Sequence, residues 1–472
     1  MLRRTFLIGS TGTFLNTFVR SRSSADAVGD DAMFRSFGSD FLWGVSTSAY
    51  QIEGGVNVDG RGESIWDLFA RTKGNIHGGE NADVAADYYH RYRGDIQSIA
   101  HGGFDAYRFS TSWPRIIPAG TGRVNPLGLD FYDRIVDECL ARQIAPWICP
   151  YHWDLPQALQ ERGGWTNRDI VHWFTDYVTV VARHLGDRVK HWAILNEAAV
   201  HAVIGHGFGD HAPGLRGRSN FIAAMHHQNL AQGLAIQALR AHCSDFKLGT
   251  IMCLEPVRPV TPRDEDLRAA HFFEAIWKGA SIDPLFKGKY PEILQEEFAA
   301  MMSPDDMTNI RQPIDYLGLN YYNELHIQND EQSPFGLTFG PPPLGSILTA
   351  MSWPIEPLGL YRQLIELRDK YGNPPVYIAE NGAAFDDRID ADGSVHDLKR
   401  IDYFRVHLLA ARQAIRDGAA LRGYFLWSLL DNFEWTEGTT KKFGIIHVDF
   451  KTLKRTPKDS YAWLASGLHS RQ

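Results

Sequence analysis

Eight short apolar runs recur along the chain, and stretches with the apolar spacing of helices separate them. The runs begin at Phe41, Ala106, Ala145, His191, Lys247, Asp315, Pro375 and Leu421. Strands that are apolar almost throughout are typical of parallel sheets buried on both faces. The alternation therefore predicts an α/β fold, a single-domain (β/α)8 TIM barrel with long βα loops over residues 38–465. Gly128–Gln143 and Asp402–Gly418 are two of the predicted helices.

Polar and aromatic side chains stand at the ends of most of these runs. They are Gln51, Glu53, Arg108, His152, Asn196, Glu197, Asn320, Tyr322, Glu380, Asn381, Trp427, Glu434 and Trp435. The C-terminal ends of barrel strands share one face, and barrel active sites form there. A single glutamate at such a place is usually a cap or an ion pair. Two glutamates, Glu197 and Glu380, in this company predict a site with paired carboxylates.

Paired carboxylates suit the cleavage of a glycosidic bond. A protonated glutamate can donate to the leaving oxygen, and an ionised one can supply electron density to the anomeric carbon. A metal-dependent barrel hydrolase commonly carries a His-x-His motif, which this sequence lacks. A sugar-binding protein without activity would have lost a carboxylate. A transglycosylase would share every residue named, and that alternative stays open.

The chain resembles family 1 glycoside hydrolases, the β-glucosidase family, across almost its whole length. The motifs are "FLWGVSTSAYQIEG", "GRGESIWD", "YRFSTSWPRIIP", "YHWDLPQAL", "LNE", "LGLNYY", "YIAENG" and "WSLLDNFEW", in the order of the family. The resemblance implies a retaining β-glycosidase that hydrolyses terminal β-D-glucosyl residues of short β-glucosides through a covalent glycosyl-enzyme. It implies a small oligosaccharide or aryl or alkyl β-glycoside as substrate, with no cofactor, no metal and no nucleic acid.

The resemblance also assigns roles to residues. Glu380 would be the nucleophile and Glu197 the acid/base, with Arg108 and Tyr322 orienting Glu380. Substrate-binding residues would be Gln51, His152, Asn196, Asn320, Trp353, Trp427, Glu434, Trp435 and Phe443. The chain departs from the family at two places, where Ala198 replaces a proline after Glu197 and Ala379 replaces a threonine before Glu380. The first change removes a fixed φ beside the acid/base.

The N-terminus has a composition of its own. Residues 1–27 begin with Arg3 and Arg4, continue with a mildly apolar stretch and end in the small residues "ADA". This order resembles a twin-arginine export signal and predicts a periplasmic or secreted protein; a disordered basic tail is the alternative. The net charge of −8 offers no basic face for nucleic acid.

Three further segments carry smaller expectations. The four cysteines form no C-x-x-C pair, which predicts free thiols, buried at Cys149 and Cys253. The Pro- and Gly-rich segment Asn329–Pro357 after the sixth strand predicts a long functional or mobile loop. "GHGFGD" (Gly205–Asp210) predicts a loop, and His226–His227 predict packed or solvated side chains on a helix.

Overall fold

The computed structural model describes residues 25–471, and in it eight parallel strands close into a barrel. The strands are β1 (Leu42–Ser46), β2 (Ala106–Ser110), β3 (Ala145–Cys149), β4 (His191–Asn196), β5 (Lys247–Cys253), β6 (Tyr316–Asn320), β7 (Val376–Glu380) and β8 (Leu421–Trp427). Around the barrel the order is β1-β8-β7-β6-β5-β4-β3-β2. The predicted (β/α)8 barrel is therefore confirmed. Each strand ends before its apolar run does, because the runs continue into the loops of the barrel mouth.

Helices surround the barrel. The α-helices are Ala25–Arg35, Ala49–Ile52, Ile65–Arg71, Tyr88–His101, Trp113–Ile116, Pro126–Ala141, Gln157–Gln160, Ile170–Leu185, Ala198–Val200, Arg218–His242, Asp264–Glu274, Ala280–Lys287, Gln295–Ala299, Asp306–Ile310, Pro357–Lys370, Leu398–Arg416 and Asp459–His469. Short 3₁₀ turns lie at His77–Gly79, Gly164–Thr166, Glu292–Leu294 and Trp435–Glu437. The two helices predicted from Gly128 and Asp402 begin earlier, at Pro126 and Leu398.

The helix Ile170–Leu185 shows why these segments fold as they do. Ile170, Phe174, Val178, Val181 and Leu185 recur every three or four residues, and all are fully buried. This spacing gives the helix one apolar stripe, which it packs against the barrel. None of the helices within residues 25–471 is long and apolar enough to cross a bilayer.

The barrel interior is layered. A floor of large side chains contains Trp147, Tyr316 and Phe425. Above it lies a layer of smaller side chains, Cys149, Ala193, Ile251 and Ala379. Polar residues follow at the C-terminal ends of the strands. Large side chains fill the floor, so the open space of the barrel lies at its polar end, where a substrate can enter.

Two segments differ from their sequence expectations. Gly205–Phe208, expected to be a loop, lie in a π-helix that spans His201–Phe208, and a second π-helix spans Ala275–Gly279. The segment Asn329–Pro357 contains the strand Leu337–Phe339, which pairs with Leu325–Asn329. Leu325–Asn329 also pairs with Val257–Pro259, and together they form a small sheet beside the barrel mouth. A further hairpin pairs Ile446–Val448 with Arg455–Pro457.

His226 and His227 pack in the core, as one of the two alternatives predicted. His226 contacts the Tyr290 hydroxyl and Asp306, and His227 contacts the Trp165 carbonyl. The four cysteines are free thiols, with Cys149 and Cys253 buried, which confirms the expectation for them.

The N-terminal helix Ala25–Arg35 belongs to the folded domain. Met33 and Phe34 are buried in the main core. Asp30 accepts hydrogen bonds from the Nε and the Nη2 of Arg405, each at 2.9 Å. It also accepts one from the Trp463 indole at 2.8 Å. Most of the predicted export signal, residues 1–24, lies outside the described residues.

Candidate active site

The two predicted catalytic carboxylates lie at the same mouth of the barrel. Glu380 is the last residue of β7, and Glu197 directly follows β4. Glu197 has a φ of +51°, and its N–H donates to the Ile251 carbonyl at 2.9 Å. Left-handed backbone at a non-glycine residue costs energy and is concentrated at functional sites. Both side chains are more than nine-tenths buried and line one cavity of about 350 Å³.

Glu380 has a donor on each oxygen. The Nη1 of Arg108 donates to Oε1 at 2.7 Å, and the Tyr322 hydroxyl donates to Oε2 at 2.6 Å. Arg108 is itself 2% exposed and extends from β2 across the barrel axis. A guanidinium and a hydroxyl that both point at one carboxyl group favour its ionised form. Glu380 is thus held as a carboxylate in a fixed position.

Glu197 has a different environment. Its Oε1 accepts a hydrogen bond of 2.7 Å from the Nδ2 of Asn320, and no cation of the described residues contacts it. Burial, and secondly the negative charge of Glu380, raise the pKa of Glu197 well above its ordinary value. Its surroundings therefore favour the protonated form of Glu197, which can donate its proton.

Asn196 links the two carboxylates. Its Oδ1 accepts from the Nη2 of Arg108 at 2.7 Å and from the Nδ2 of Asn320 at 3.2 Å. Arg108 and Asn320 are the residues that also bind Glu380 and Glu197. These three side chains, Arg108, Asn196 and Asn320, therefore fix the position of both acids relative to each other.

The tautomer of His152 follows from this network. Because the Asn196 oxygen is occupied, the Asn196 amide nitrogen faces His152 Nε2 at 3.1 Å and donates to it. Burial lowers the pKa of His152 well below its usual value, so the ring is neutral and carries its proton on Nδ1. This nitrogen has no partner among the described residues, and His152 lines the cavity. It is available to donate to a sugar hydroxyl.

Glu434 lines the cavity, and Gln51 lies behind it. The Nε2 of Gln51 donates to Glu434 Oε2 at 3.3 Å and to Asn432 Oδ1 at 3.1 Å. Burial raises the pKa of Glu434 to about 8. In the empty cavity Glu434 is therefore largely protonated at pH 7 and can donate as well as accept.

Two indoles, those of Trp427 and Trp435, line the cavity beside His152. The rings of Trp427 and Trp435 lie 5.8 Å and 5.9 Å from the His152 ring, between centroids. Trp435 packs between Trp153 at 4.6 Å and Tyr50 at 6.2 Å. Aromatic faces held in this way offer flat apolar surfaces to a pyranose ring.

Trp353 and Phe443 lie beside Tyr322. The centroid distances are 5.6 Å between Tyr322 and Trp353 and 6.1 Å between Trp353 and Phe443. The Trp353 backbone is fixed through Thr349, whose N–H donates to the Trp353 carbonyl at 2.9 Å. The long segment after the sixth strand thus supplies one wall of the cavity.

The predicted site residues form two groups. The first group lines the cavity: His152, Glu197, Tyr322, Trp353, Glu380, Trp427, Glu434, Trp435 and Phe443. The second group lies behind it and comprises Gln51, Arg108, Asn196 and Asn320. Each of these four is bonded to a lining residue. The structure therefore brings all thirteen together.

Two other strand-end residues lie elsewhere. Glu53 accepts from Arg115 at 3.0 Å and from the Tyr132 hydroxyl at 2.7 Å, in a buried network away from the cavity. Asn381 donates to the Tyr321 carbonyl at 2.6 Å and supports the turn after β7. Both residues make structural contacts, as polar residues at strand ends usually do.

The two departures from the family leave the catalytic geometry intact. The Ala379 carbonyl accepts from Arg108 Nη1 at 3.2 Å and from the Ser46 hydroxyl at 2.8 Å, which needs no side chain at residue 379. Glu197 is held by its own N–H and by Asn320, independently of Ala198.

Sequence reasoning missed several residues that line the cavity. They are Trp153, His211, Cys253, Glu255, Trp277, Glu324, His326, Phe339 and Met351. Glu255 ends the fifth apolar run, so the rule that found Glu380 also applies to it. Trp277 and Phe339 come from a π-helix and from the small sheet, and no local pattern in the sequence indicates that these approach the mouth.

Comparison with known proteins agrees with this geometry. The sequence profile of Glycosyl hydrolase family 1 matches residues 33–472. The chain is 46% identical to Beta-glucosidase A of Thermotoga maritima over 436 residues, which cover 92% of this chain and 97% of that protein. It is 40% identical over 451 residues to a bifunctional beta-D-glucosidase/beta-D-fucosidase of Bifidobacterium breve, covering 90% of this chain and 97% of that one.

A solved structure of the family 1 β-glucosidase from Thermotoga maritima superposes on the chain with a TM-score of 0.87. The sequence identity is 45%, and the superposition covers 92% of this chain and 98% of the other. The barrel fold is therefore shared.

Proposed function

The chain belongs to glycosyl hydrolase family 1 and is a β-glucosidase, and we propose that Glu380 is its nucleophile and Glu197 its general acid and base. The observation that supports these roles is the contrast between the two environments. Glu380 is bound by Arg108 and Tyr322, whereas burial raises the pKa of Glu197. A carboxylate and a carboxylic acid side by side are what the first step of a retaining glycosidase requires.

In the first step an oxygen of Glu380 attacks the anomeric carbon. The bond between that carbon and the aglycone oxygen breaks, and Glu197 transfers its proton to the departing oxygen. The product is a glycosyl ester on Glu380. Tyr322 donates to one oxygen of Glu380 and Arg108 to the other, so the nucleophile is fixed while its charge is consumed.

In the second step water replaces the aglycone. Glu197, now ionised, takes a proton from the water, and the water oxygen attacks the anomeric carbon. The ester bond breaks, and Glu380 regains its negative charge. Two inversions at one carbon give net retention of the β configuration.

The glycone is placed between His152, Trp427 and Glu434. His152 Nδ1 donates to a hydroxyl, and the indole of Trp427 stacks on the ring. Glu434, held by Gln51, binds hydroxyls at the far end, and Trp435 adds a further apolar contact. Asn196, through its network, lies nearest the 2-hydroxyl of the sugar.

The sugar is a neutral one without a 6-phosphate. No lysine or arginine of the described residues lines the cavity, so nothing there would pair with a phosphate. Lys441 and Lys442, which follow β8 along the chain, donate to the carbonyls of Ala350 and Asp387, each at 2.9 Å. Cellobiose should therefore be cleaved, and its 6-phospho counterpart should not; faster cleavage of the phosphorylated sugar would contradict this assignment.

The catalytic proposal is tested by the stereochemistry of the product. We expect proton NMR of early time points with nitrophenyl β-glucoside to show β-glucose first, before mutarotation. A panel with the β-galactoside and β-fucoside defines the sugar preference. First appearance of α-glucose would show that Glu380 does not form a covalent intermediate.

We further propose that the protein is exported in folded form through its paired Arg3 and Arg4. Cleavage after Ala27 would keep Asp30, Met33 and Phe34, which the folded domain uses. Changing both arginines to lysine should leave active enzyme in the bacterial cytoplasm. Unchanged periplasmic activity of that variant would refute the proposal.

A further inference from the structure

The cavity has a second half that the glycone contacts do not use. Around the barrel, β5 lies directly opposite β1, and β8 is the neighbour of β1. Gln51 follows β1 and Glu434 follows β8, so the side of the cavity next to β5 is the side away from these glycone residues. Glu197 follows β4, the neighbour of β5, and its acid proton has to reach the leaving oxygen. The β5 side is therefore where the aglycone lies.

Glu255 is the carboxylate on that side. It lies two residues after β5, between the barrel and the strand Val257–Pro259. Its side chain lines the cavity and is 4% exposed. Asn196 pairs with Ile251 in the register of β4 and β5, so Glu255 is nearer the mouth than Glu197. An aglycone that extends from the leaving oxygen toward the barrel mouth therefore passes Glu255.

Three acids of the cavity, Glu197, Glu255 and Glu434, contact no lysine or arginine of the described residues. Glu197 and Glu434 have proposed roles at the glycosidic bond and the glycone, and Glu255 has none. The cavity is lined by Glu197, Glu255, Glu324, Glu380, Glu434 and Glu437. Glu324 pairs with Arg258 and Arg362, and Glu380 with Arg108. Among the described residues, Glu255 accepts hydrogen bonds from uncharged groups only, the Cys253 thiol and the N–H groups of Tyr322 and Asn323, the last at 3.4 Å.

We propose that Glu255 selects β-glucosides whose aglycone carries a primary ammonium group. The ammonium would supply the cation that this buried carboxyl group lacks, and Trp277 and Phe339 would cover the apolar part of the aglycone. Burial raises the pKa of Glu255 to about 7, so a bound cation ionises it readily. The inference rests on the proposed role of Glu197, which fixes the leaving-group side.

The test uses two substrates of one shape, 4-(aminomethyl)phenyl and 4-(hydroxymethyl)phenyl β-glucoside, with glucose release as the readout. At pH 7.5 kcat/KM of the wild-type enzyme should favour the amine by about tenfold, the effect of one hydrogen bond to a charged group. In Glu255→Gln the preference should fall to about twofold or less. Comparing the ratio between enzymes cancels the intrinsic difference between the two phenol leaving groups.

Glu437→Gln is the matched control, because Glu437 lines the same cavity but is 37% exposed and lies 3.5 Å from Lys441. Its preference for the amine should stay within about twofold of the wild-type value. Equal kcat/KM for both substrates in the wild-type enzyme would overturn the proposal, even if Glu255→Gln did not fold. A preference that survives in folded Glu255→Gln would also overturn it. Failure to cleave either substrate would instead contradict the β-glucosidase assignment.

Discussion

The surroundings of Glu380 and those of Glu197 differ, although both residues lie at the C-terminal ends of strands at one barrel mouth. Glu380 receives a guanidinium and a phenol hydroxyl, one on each oxygen. Glu197 receives one amide, and its nearest charge is the carboxylate of Glu380. The same side chain is thus favoured as an anion at one position and as a neutral acid at the other.

The residues around each glutamate determine which of the two is the acid and which is the nucleophile. Burial is similar for both, at 6% exposure for Glu197 and 3% for Glu380, so desolvation alone does not separate them. What separates them is Arg108, which pairs with Glu380 and reaches Glu197 only indirectly through Asn196 and Asn320. Each prediction below changes one side of this contrast.

The largest effect is expected from removing the nucleophile. Glu380→Ala should lower kcat for nitrophenyl β-glucoside by about 10⁴-fold or more, because no other group can form the glycosyl ester. Circular dichroism and the melting temperature should show a folded protein. Asp137→Ala, which removes a largely exposed carboxylate 2.7 Å from Arg188, is the control and should keep its activity. Residual activity within tenfold of wild type would show that another carboxylate attacks.

The next largest effect is expected at Glu197, and it should depend on the leaving group. Glu197→Ala should cost about 10³-fold in kcat/KM for an alkyl glucoside, which needs a proton, and far less for a dinitrophenyl glucoside. Added azide should restore rate and give β-glucosyl azide. Equal losses for good and poor leaving groups would contradict the assignment.

The pH dependence of the wild-type enzyme tests the role of Glu197 as the acid. Glu197 has to be protonated for the first step, and its pKa is raised, so kcat/KM should fall as the pH rises through that pKa. For dinitrophenyl glucoside this alkaline limb should disappear in Glu197→Ala. An alkaline limb that persists would have to come from another group.

A smaller effect is expected from weakening the contacts of Glu380. Tyr322→Phe removes the hydroxyl that donates at 2.6 Å and keeps the ring beside Trp353. The loss of one hydrogen bond to a charged group should lower kcat/KM by about 10- to 100-fold. A change in kcat/KM of less than about threefold would show that the Tyr322 hydroxyl does not act on Glu380.

The smallest effect is expected at the position where the chain departs from its family. Ala198→Pro should change kcat/KM by less than about threefold, because Asn320 and the Ile251 carbonyl already fix Glu197. Residue 198 begins the short helix Ala198–Val200, where a proline is tolerated. A large change in either direction would show that residue 198 controls the acid.

The barrel and its catalytic end were predictable because both depend on local patterns. Apolar runs identify strands, and polar residues that end them identify the mouth, so Glu197, Glu380 and Trp427 follow from position alone. The lengths of the strands were overestimated; the run from Phe41, for example, passes from β1, which ends at Ser46, into the helix Ala49–Ile52.

The outer half of the cavity was not predictable in the same way. Trp277, which lines the cavity, lies in a π-helix. Phe339, which also lines it, lies in a three-residue strand within a segment predicted to be a loop. The polar strand ends Glu53 and Glu380 are alike in the sequence. Glu53 pairs with Arg115 in a buried network, and Glu380 pairs with Arg108 at the active site. Only the three-dimensional fold determines which arginine each glutamate contacts.

The most direct test of the account is to locate the covalent intermediate. The enzyme is incubated with 2,4-dinitrophenyl 2-deoxy-2-fluoro-β-glucoside, whose fluorine slows hydrolysis of the ester, and peptides are sequenced by mass spectrometry. The account predicts one sugar per chain, attached to Glu380 in the peptide that contains "YIAENG". A sugar attached to Glu197, Glu255 or Glu434, or inactivation without a covalent label, would contradict it.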